Sequence, residues 1–121
     1  MAVPEIVERA DPPDELSDEQ AIVWRAVIDD KPADWFDAAA LPILAQYCRH
    51  VVASRRVAAL IEDATARDAI DIGELEVLLR MQDKETKAIA TSATKLRLTP
   101  QALSNHRGNK SRAPVARPWD T

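Results

Sequence analysis

The sequence predicts an all-α protein with a short N-terminal helix, a long antiparallel helical hairpin, a short C-terminal helix and flexible tails. Composition is the first observation behind this prediction: the 121 residues include only two glycines, and alanine, leucine, glutamate and arginine, which favour helices, are abundant. Periodicity is the second, because apolar residues recur at helical spacings and the alternating pattern typical of strands is absent.

The first predicted helix covers about residues 18–30 and follows an acidic arm over residues 1–16. The arm contains three prolines and many acidic residues, a composition typical of a flexible segment. Ser17 begins the helix, and Gln20 three residues later completes the pattern of a capping box. We expect the helical domain to begin at Ser17 and to run to residue 98.

The second predicted helix covers about residues 34–63, with Asp34 or Asp37 as its cap. Pro42 lies inside this range and predicts a kink there, unless the helix begins near residue 41. The apolar residues of this helix spread over a wide arc, which indicates that the helix meets more than one neighbour.

The third predicted helix covers about residues 71–97 and has the clearest period in the chain. Asp71 can cap it, with Glu74 three residues later. Eight positions follow one another in alternating steps of three and four, and six of them are apolar, which is typical of a coiled-coil seam. These seam positions are 72, 75, 79, 82, 86, 89, 93 and 96. A short connector over residues 64–70 predicts that the second and third helices form an antiparallel hairpin.

The last segment, residues 99–121, is predicted to hold a short basic helix and a tail. Thr99 can cap this helix, Pro100 suits its first position, and Gly108 is a natural end.

Aromatic residues fall into two groups. Four of the five lie within residues 24–47 and are expected to pack the first helix onto the second. They are Trp24, Trp35, Phe36 and Tyr47. The fifth, Trp119, lies in the proline-rich tail, where it can bind a partner protein or fold back on its own oligomer.

Composition favours a chain without a membrane span or a secretion signal. Apolar residues make up 46%, but no apolar run approaches the roughly 18–20 residues that a span requires. The first residues do not place a basic region before an apolar stretch, so no signal peptide is expected. The single cysteine, Cys48, has no partner for an internal disulfide, which fits a reducing compartment. We therefore expect a cytoplasmic protein.

No pattern in the sequence predicts catalysis. Two glycines 35 residues apart leave no phosphate-binding loop. Cys48, His50 and His106 lack the spacing of a zinc site. Cys48 is expected to be a small core residue, with His50 at the surface. We predict that the chain is not an enzyme and that it needs neither a metal nor a cofactor.

Charge is unevenly distributed along the chain, whose net charge is −4. Residues 1–40 hold eleven acids and three bases, whereas residues 95–121 hold six bases and one acid. A basic segment on an acidic chain predicts an anion-binding site, although a solvated tail has the same composition. Arg55 and Arg56 can pair with acids across the hairpin, but the basic group over residues 106–112 has no nearby acid and is the strongest candidate for phosphate contacts. The candidate DNA-binding residues are Arg49, Arg55, Arg56, Lys95, Arg97, His106, Arg107, Lys110 and Arg112.

Two groups of short motifs occur in order along the chain. The first group is Leu16-Ser17, Trp24, Ile28, Pro32-Ala33-Asp34-Trp35-Phe36, Leu41-Pro42-Ile43-Leu44 and Tyr47-Cys48-Arg49. The second group is Ala90-Thr91 and Lys95-Leu96-Arg97-Leu98-Thr99-Pro100-Gln101. Together they resemble an all-helical subgroup of the small subunits of tailed-phage terminases. The resemblance covers about residues 16–104, and its specificity lies in the order and spacing of motifs that are individually weak.

This resemblance implies a protein that binds the viral genome, assembles into a homo-oligomeric ring, and delivers the DNA to the large terminase subunit, the ATPase and nuclease that it regulates. Residues 17–98 would then be an oligomerisation domain in the host cytoplasm. Each subunit of a closed ring needs two different contact faces, which the apolar arc of the second helix and the seam of the third can supply. The predicted interface residues are Leu44, Val51, Leu75, Leu79 and Ile89.

The chain departs from the family in its N-terminal charge. Many small terminases read DNA with an N-terminal helix-turn-helix, but here residues 1–40 carry a net charge of −8 and no basic recognition helix. We therefore expect the arginines of the hairpin or the basic C-terminal segment to contact double-stranded DNA. Two other functions stay open: a helical protein-only adaptor or scaffold, and a small helix-turn-helix regulator that binds a palindrome as a dimer.

Overall fold

A computed structural model describes residues 8–98 of the chain and confirms an all-α fold. Three helices follow one another: α1 over Asp18–Asp29, α2 over Leu41–Ala66 and α3 over Ile72–Lys95. No strand occurs within these described residues. Of the three helices, none is long and apolar enough to cross a membrane. The predicted C-terminal helix and Trp119 lie outside the described residues.

Helix α1 begins with the capping box that the sequence predicts. The Ser17 side chain accepts a hydrogen bond from the Gln20 backbone N–H (3.2 Å), and the Gln20 side chain accepts one from the Ser17 N–H (2.9 Å). At the other end of the helix, the Arg9 side chain donates to the backbone oxygens of Ile28 (3.3 Å) and Lys31 (2.9 Å). These bonds satisfy terminal carbonyls, and a cation at a helix C-terminus also favours the helix dipole.

The arm before α1 packs against the helices over its described part, which corrects the expectation of a flexible segment over residues 1–16. The Trp24 indole N–H donates to the Ala10 backbone oxygen (2.9 Å), and Leu16 is buried in the core. A buried indole requires an acceptor for its N–H, and the arm supplies it. Residues 8–16 have no regular secondary structure, so helical periodicity carries no signal for this packing.

Helix α2 begins at Leu41, which corrects the predicted start at residue 34. Pro42 lies in the first turn of the helix, where the missing N–H of proline removes no helical hydrogen bond. The preceding residues form turns, and the Asp37 side chain accepts a hydrogen bond from the Ala40 N–H (3.0 Å). The helix also continues three residues beyond the predicted end.

Helix α3 begins after Asp71, whose side chain accepts a hydrogen bond from the N–H three residues later (3.1 Å), as the sequence predicts. Its other end closes without a glycine. Arg97 takes the left-handed conformation with φ 63°, and its N–H donates to the Thr94 carbonyl (3.1 Å). The next N–H donates to the Ala93 carbonyl (2.7 Å). These two bonds form a Schellman motif, which satisfies the last carbonyl oxygens of a helix.

Helices α2 and α3 form the predicted antiparallel hairpin. Arg67 contacts Glu74 near the connector (2.6 Å), and His50 contacts Glu85 further from it (2.7 Å). The two helices therefore run in opposite directions alongside each other. Helix α1 packs against α2, and within residues 8–98 α2 is the one helix whose backbone runs alongside α3.

The core lies at the end of the hairpin far from the connector, where α1 packs. Its fully buried side chains come from α1, from α2 and from the end of α3. They are Trp24, Leu44, Cys48, Val52 and Leu96. Phe36 and Tyr47 pack against this core together with Trp24, as expected, whereas Trp35 contacts the end of α3 instead. Cys48 is a core residue, and burial raises the pKa of its thiol to about 11.

The face that α3 turns toward α2 is offset from the predicted seam. Buried and half-buried side chains on α3 and its C-cap follow steps of three and four along a neighbouring line. Their positions are 75, 78, 82, 85, 89, 92 and 96. Three apolar seam residues fall outside this line: Ile72 is 70% exposed and Leu79 is 47% exposed, whereas Ala93 is buried. Helix α2 therefore covers only one edge of the predicted seam.

Candidate oligomerisation and nucleic-acid surfaces

The five predicted interface residues do not share one surface. Leu44 is completely buried in the core of its own chain. It has no surface to offer a second subunit, which corrects its assignment to the interface. Val51 is half-buried against the core, and Leu75 and Ile89 are half-buried on the line that faces α2. Leu79 is the one of the five that is open to solvent.

Exposed apolar side chains concentrate at the connector end of the hairpin. The described part of the chain has seven large apolar residues that are exposed, and six of them fall within residues 60–81. They are Leu60, Ile70, Ile72, Val77, Leu79 and Met81. An apolar surface of this kind is typical of a contact site for another protein.

Helix α3 carries a row of charges on its outer side, which we call the charged row. Glu76 and Arg80 pair one turn apart (3.7 Å), and Asp83 and Lys87 pair in the same way (2.9 Å). All four side chains are more than half exposed. Exposed pairs of this type contribute only about 0.3–0.5 kcal/mol each, so a partner molecule can compete for these side chains at little cost.

Two of the three candidate arginines on α2 have acidic neighbours. Arg49 lies 3.9 Å from Glu15 of the arm, and Arg55 lies 3.8 Å from Glu19 of α1. The sequence predicts acids across the hairpin, on α3, whereas the observed neighbours precede α1 or belong to it. Arg56 is exposed and forms no ion pair with the residues that the structure describes.

Arg97, another candidate DNA contact, is engaged within the chain. Its guanidinium lies over the Trp35 ring, 4.1 Å from the centroid, and donates a hydrogen bond to the Trp35 backbone oxygen. The Trp35 indole N–H donates in turn to the Leu96 backbone oxygen (3.1 Å). Lys31 lies 5.1 Å from the same ring, and Lys95 is exposed nearby. The guanidinium therefore fastens the end of α3 to the turn before α2.

A cavity of about 340 Å³ opens beside this cation and ring. Two bases, Lys95 and Arg97, line it together with Trp35 and one acid, Asp37. The two bases outnumber the acid, so the cavity can bind a phosphate oxygen. The carboxylate nevertheless makes the local electrostatic potential less positive.

His50 is half-buried, which corrects the expectation of a surface residue. Its Nδ1 lies 2.7 Å from the Glu85 carboxylate across the hairpin. A half-buried polar pair at facing positions of two helices favours one register of the helices over its neighbours. This pair therefore has a structural role in aligning α2 with α3.

The remaining candidates lie outside the described residues. They are His106, Arg107, Lys110, Arg112 and Trp119. The described residues themselves hold eighteen acids and twelve bases, a net charge of −6. Phosphate is repelled by such a body as a whole, so DNA binding requires a local concentration of bases.

Reactive groups in the described chain are buried or scattered. Burial raises the pKa of the Cys48 thiol and that of the neighbouring Tyr47 hydroxyl. A thiol with a raised pKa is a weak nucleophile because the thiolate is the reactive form. Over residues 8–98, no three His, Cys, Asp or Glu side chains are grouped so that they could hold a metal ion.

Comparison with known proteins gives no relative: no protein-family model, no curated protein and no solved structure matches this chain.

Proposed function

We propose that this chain is the small subunit of a phage terminase. It is a non-enzymatic protein that assembles into a homo-oligomeric ring, binds double-stranded viral DNA, and delivers it to the large terminase subunit in the host cytoplasm. The motifs over residues 16–104 support the terminase part of the proposal. One structural observation supports the oligomer: α3 has a single helical neighbour in the described chain, and apolar side chains are exposed beside it.

Burial of these side chains would stabilise an assembly. Each of the six exposed apolar residues at the connector end has 42–70% of its surface accessible. Full burial of such a side chain contributes about 1.5–3 kcal/mol, so covering the exposed half of each contributes roughly 1 kcal/mol. The sum is several kcal/mol per chain, which offsets part of the cost of association, about 4–15 kcal/mol.

The charge distribution directs the DNA contact to the end of α3 and beyond. The described residues carry a net charge of −6, whereas residues 99–121 hold four bases and one acid. Lys95 is exposed at the end of α3, immediately before this basic segment. A phosphate backbone is therefore attracted to residues 99–121 and repelled by the net charge of the described residues.

A protein-only adaptor or scaffold is the competing function, and the acidic charge of the helical body favours it. Such a protein would assemble through the same apolar surface and would ignore DNA at moderate salt. A helix-turn-helix regulator would form a dimer and prefer a palindromic site. Mass and DNA affinity together therefore distinguish the three functions.

The deciding experiment combines light scattering with DNA binding at several salt concentrations. We expect a single species of roughly eight to twelve subunits, as a closed ring requires. We also expect an affinity for DNA that falls steeply as salt rises, because bound phosphates release counterions. A monomer or a dimer would remove the ring, and a ring that ignores DNA would favour the adaptor.

Charge reversal tests where DNA binds. Arg107→Glu combined with Lys110→Glu should abolish DNA binding and leave the assembly mass unchanged. The matched control is Arg25→Glu with Lys84→Glu, which changes the net charge equally at exposed positions that are not candidate contacts. If both double variants lose DNA binding to the same extent, net charge and not a local contact governs affinity.

A further inference from the structure

The outer side of α3 has a second apolar stripe that no described part of the chain covers. At about 100° per residue, Ile72, Leu79, Thr86 and Ala90 fall on one line, roughly a quarter of a turn from the line that faces α2. All four are exposed. We call this line the outer stripe. It lies next to the charged row, so a helix that packed here would meet apolar side chains on one side and charges on the other.

The outer stripe is bulky at one end and slender at the other. Ile72 and Leu79 lie toward the connector, whereas Thr86 and Ala90 lie toward the opposite end of the helix. If two copies of the stripe run antiparallel, the bulky half of each meets the slender half of the other, which allows close packing. In a parallel pair around a two-fold axis the stripe of each copy would face the charged row of the other, so the two stripes would not meet.

The charged row has the same directional preference. Glu76, Arg80, Asp83 and Lys87 alternate in sign and lie within about 60° of arc. In the reverse order, from Lys87 to Glu76, each charge has the opposite sign to the charge at the same place in the forward order. A two-fold axis between residues 81 and 82 therefore sets Glu76 opposite Lys87 of the other copy, and Arg80 opposite its Asp83, which gives four attractive contacts. In a parallel pair each charged row would face the outer stripe of the other copy, and no charge of the row would meet one of opposite sign.

From these two patterns we propose that a second copy of the chain packs antiparallel against α3, through the outer stripe and the charged row. The proposal names the surface for the self-association contained in the proposed function and rests on it. The contact is isologous, so an assembly that contains it has an even number of subunits. Val77 and Met81 lie on the opposite flank of α3 and stay exposed for a second, different contact.

The test exchanges charges between copies. Glu76→Lys alone sets two lysines opposite each other at both ends of the contact, and Lys87→Glu alone sets two acids opposite each other. Each variant should weaken self-association roughly tenfold, measured by sedimentation equilibrium. In an equimolar mixture of the two variants, every such position again faces an opposite charge. The mixture should therefore form heterodimeric contacts with an affinity within about threefold of the wild type.

Contacts within one chain cannot explain recovery in the mixture. The Glu76–Arg80 pair is broken inside the Glu76→Lys chain, and the Asp83–Lys87 pair is broken inside the Lys87→Glu chain, whether or not the other variant is present. Asp63→Lys, an exposed substitution outside α3 with the same change of charge as Glu76→Lys, is the control for that variant and should leave association unchanged. Helicity measured by circular dichroism verifies that each variant is folded.

The outcomes distinguish a failure of the proposed ring from a failure of the proposed α3 contact. A wild-type monomer at all concentrations would overturn both the ring and this contact. A wild-type assembly that neither variant weakens would overturn the α3 surface and leave the ring standing. Variants that weaken association without recovery in the mixture would overturn the antiparallel register, whereas recovery in the mixture supports it.

Discussion

The guanidinium of Arg97 lies over the ring of Trp35, 4.1 Å from its centroid, and this pair closes the described fold. Arg97 has φ 63°, a conformation that costs roughly 1–2 kcal/mol for a residue with a side chain. The cation–π contact, the hydrogen bond to the Trp35 carbonyl and the bond from the Trp35 indole to the Leu96 carbonyl offset that cost. The turn before α2 and the end of α3 thus hold each other in place.

Substitution of Arg97 should separate backbone strain from side-chain contacts. Arg97→Ala loses the contacts and keeps the strain, so we expect the free energy of unfolding to fall by about 1–2 kcal/mol. Arg97→Gly loses the same contacts but relieves the strain, so it should be roughly 0.5–1 kcal/mol more stable than Arg97→Ala. Urea unfolding measures both, with the exposed Lys95→Ala as a control. A glycine variant less stable than the alanine variant would contradict the role assigned to the positive φ.

The buried thiol of Cys48 should make stability depend on pH in alkaline solution. Burial raises its pKa from 9.0 to about 11, with Arg49 acting weakly in the opposite direction. Between these values the folded chain keeps the proton that the unfolded chain releases, so the free energy of unfolding falls as pH rises. The contribution is fully present below about pH 9 and is lost by about pH 11.

Cys48→Ala isolates this effect, since other groups also titrate in the same range. Urea unfolding at about pH 8 and at about pH 10 should show a smaller decline for the variant than for the wild type. An identical decline in the two proteins would show that the thiol is not the group responsible.

Arg9 should contribute to stability although it lies in a segment without regular structure. Its side chain donates to two carbonyl oxygens at the end of α1. Arg9→Ala should therefore lower the free energy of unfolding by about 1 kcal/mol. Glu8→Ala is the control, because Glu8 is exposed and a surface substitution of this kind changes stability by less than about 0.5 kcal/mol. Equal melting temperatures for the two variants would remove the proposed role of the arm.

Local signals in the sequence predicted the elements of the fold better than the contacts between them. The caps at Ser17 and Asp71 are short-range patterns, and the structure has both. The start of α2 was predicted too early, because two acidic residues before Pro42 resemble caps and only the turns around Trp35 exclude a helix there.

Contacts distant in sequence had no readable signal. His50 and Glu85 are 35 residues apart, and Trp35 and Leu96 are 61 apart, so no local spacing links either pair. Once the connector is known, residues equidistant from it face each other, but this rule sets His50 opposite residue 88, one helical turn from Glu85. The face of α3 that packs on α2 was predicted with an offset for a related reason. A stripe with two apolar edges does not reveal which of the edges is covered by the same chain.

Leu78 and Leu79 are neighbours with opposite environments, and one substitution at each position tests the direction of α3. Leu78 is 7% exposed on the line that faces α2, whereas Leu79 is 47% exposed on the outer stripe. Leu78→Asp buries a charge in the hairpin and should lower the free energy of unfolding by about 3–5 kcal/mol. Leu79→Asp leaves its charge in water and should change the stability of the isolated chain by less than about 1 kcal/mol. It should nevertheless weaken assembly strongly, because the outer stripe loses its central apolar contact.

Circular dichroism at low protein concentration reports the fold of each variant, and light scattering at high concentration reports the assembly. If Leu79→Asp unfolds as readily as Leu78→Asp, the assigned face of α3 is wrong. If Leu79→Asp keeps both the fold and the wild-type mass, the outer stripe is not a subunit contact. Since the two variants differ only in which neighbouring leucine becomes an acid, any contrast between them comes from the direction in which each side chain leaves the helix.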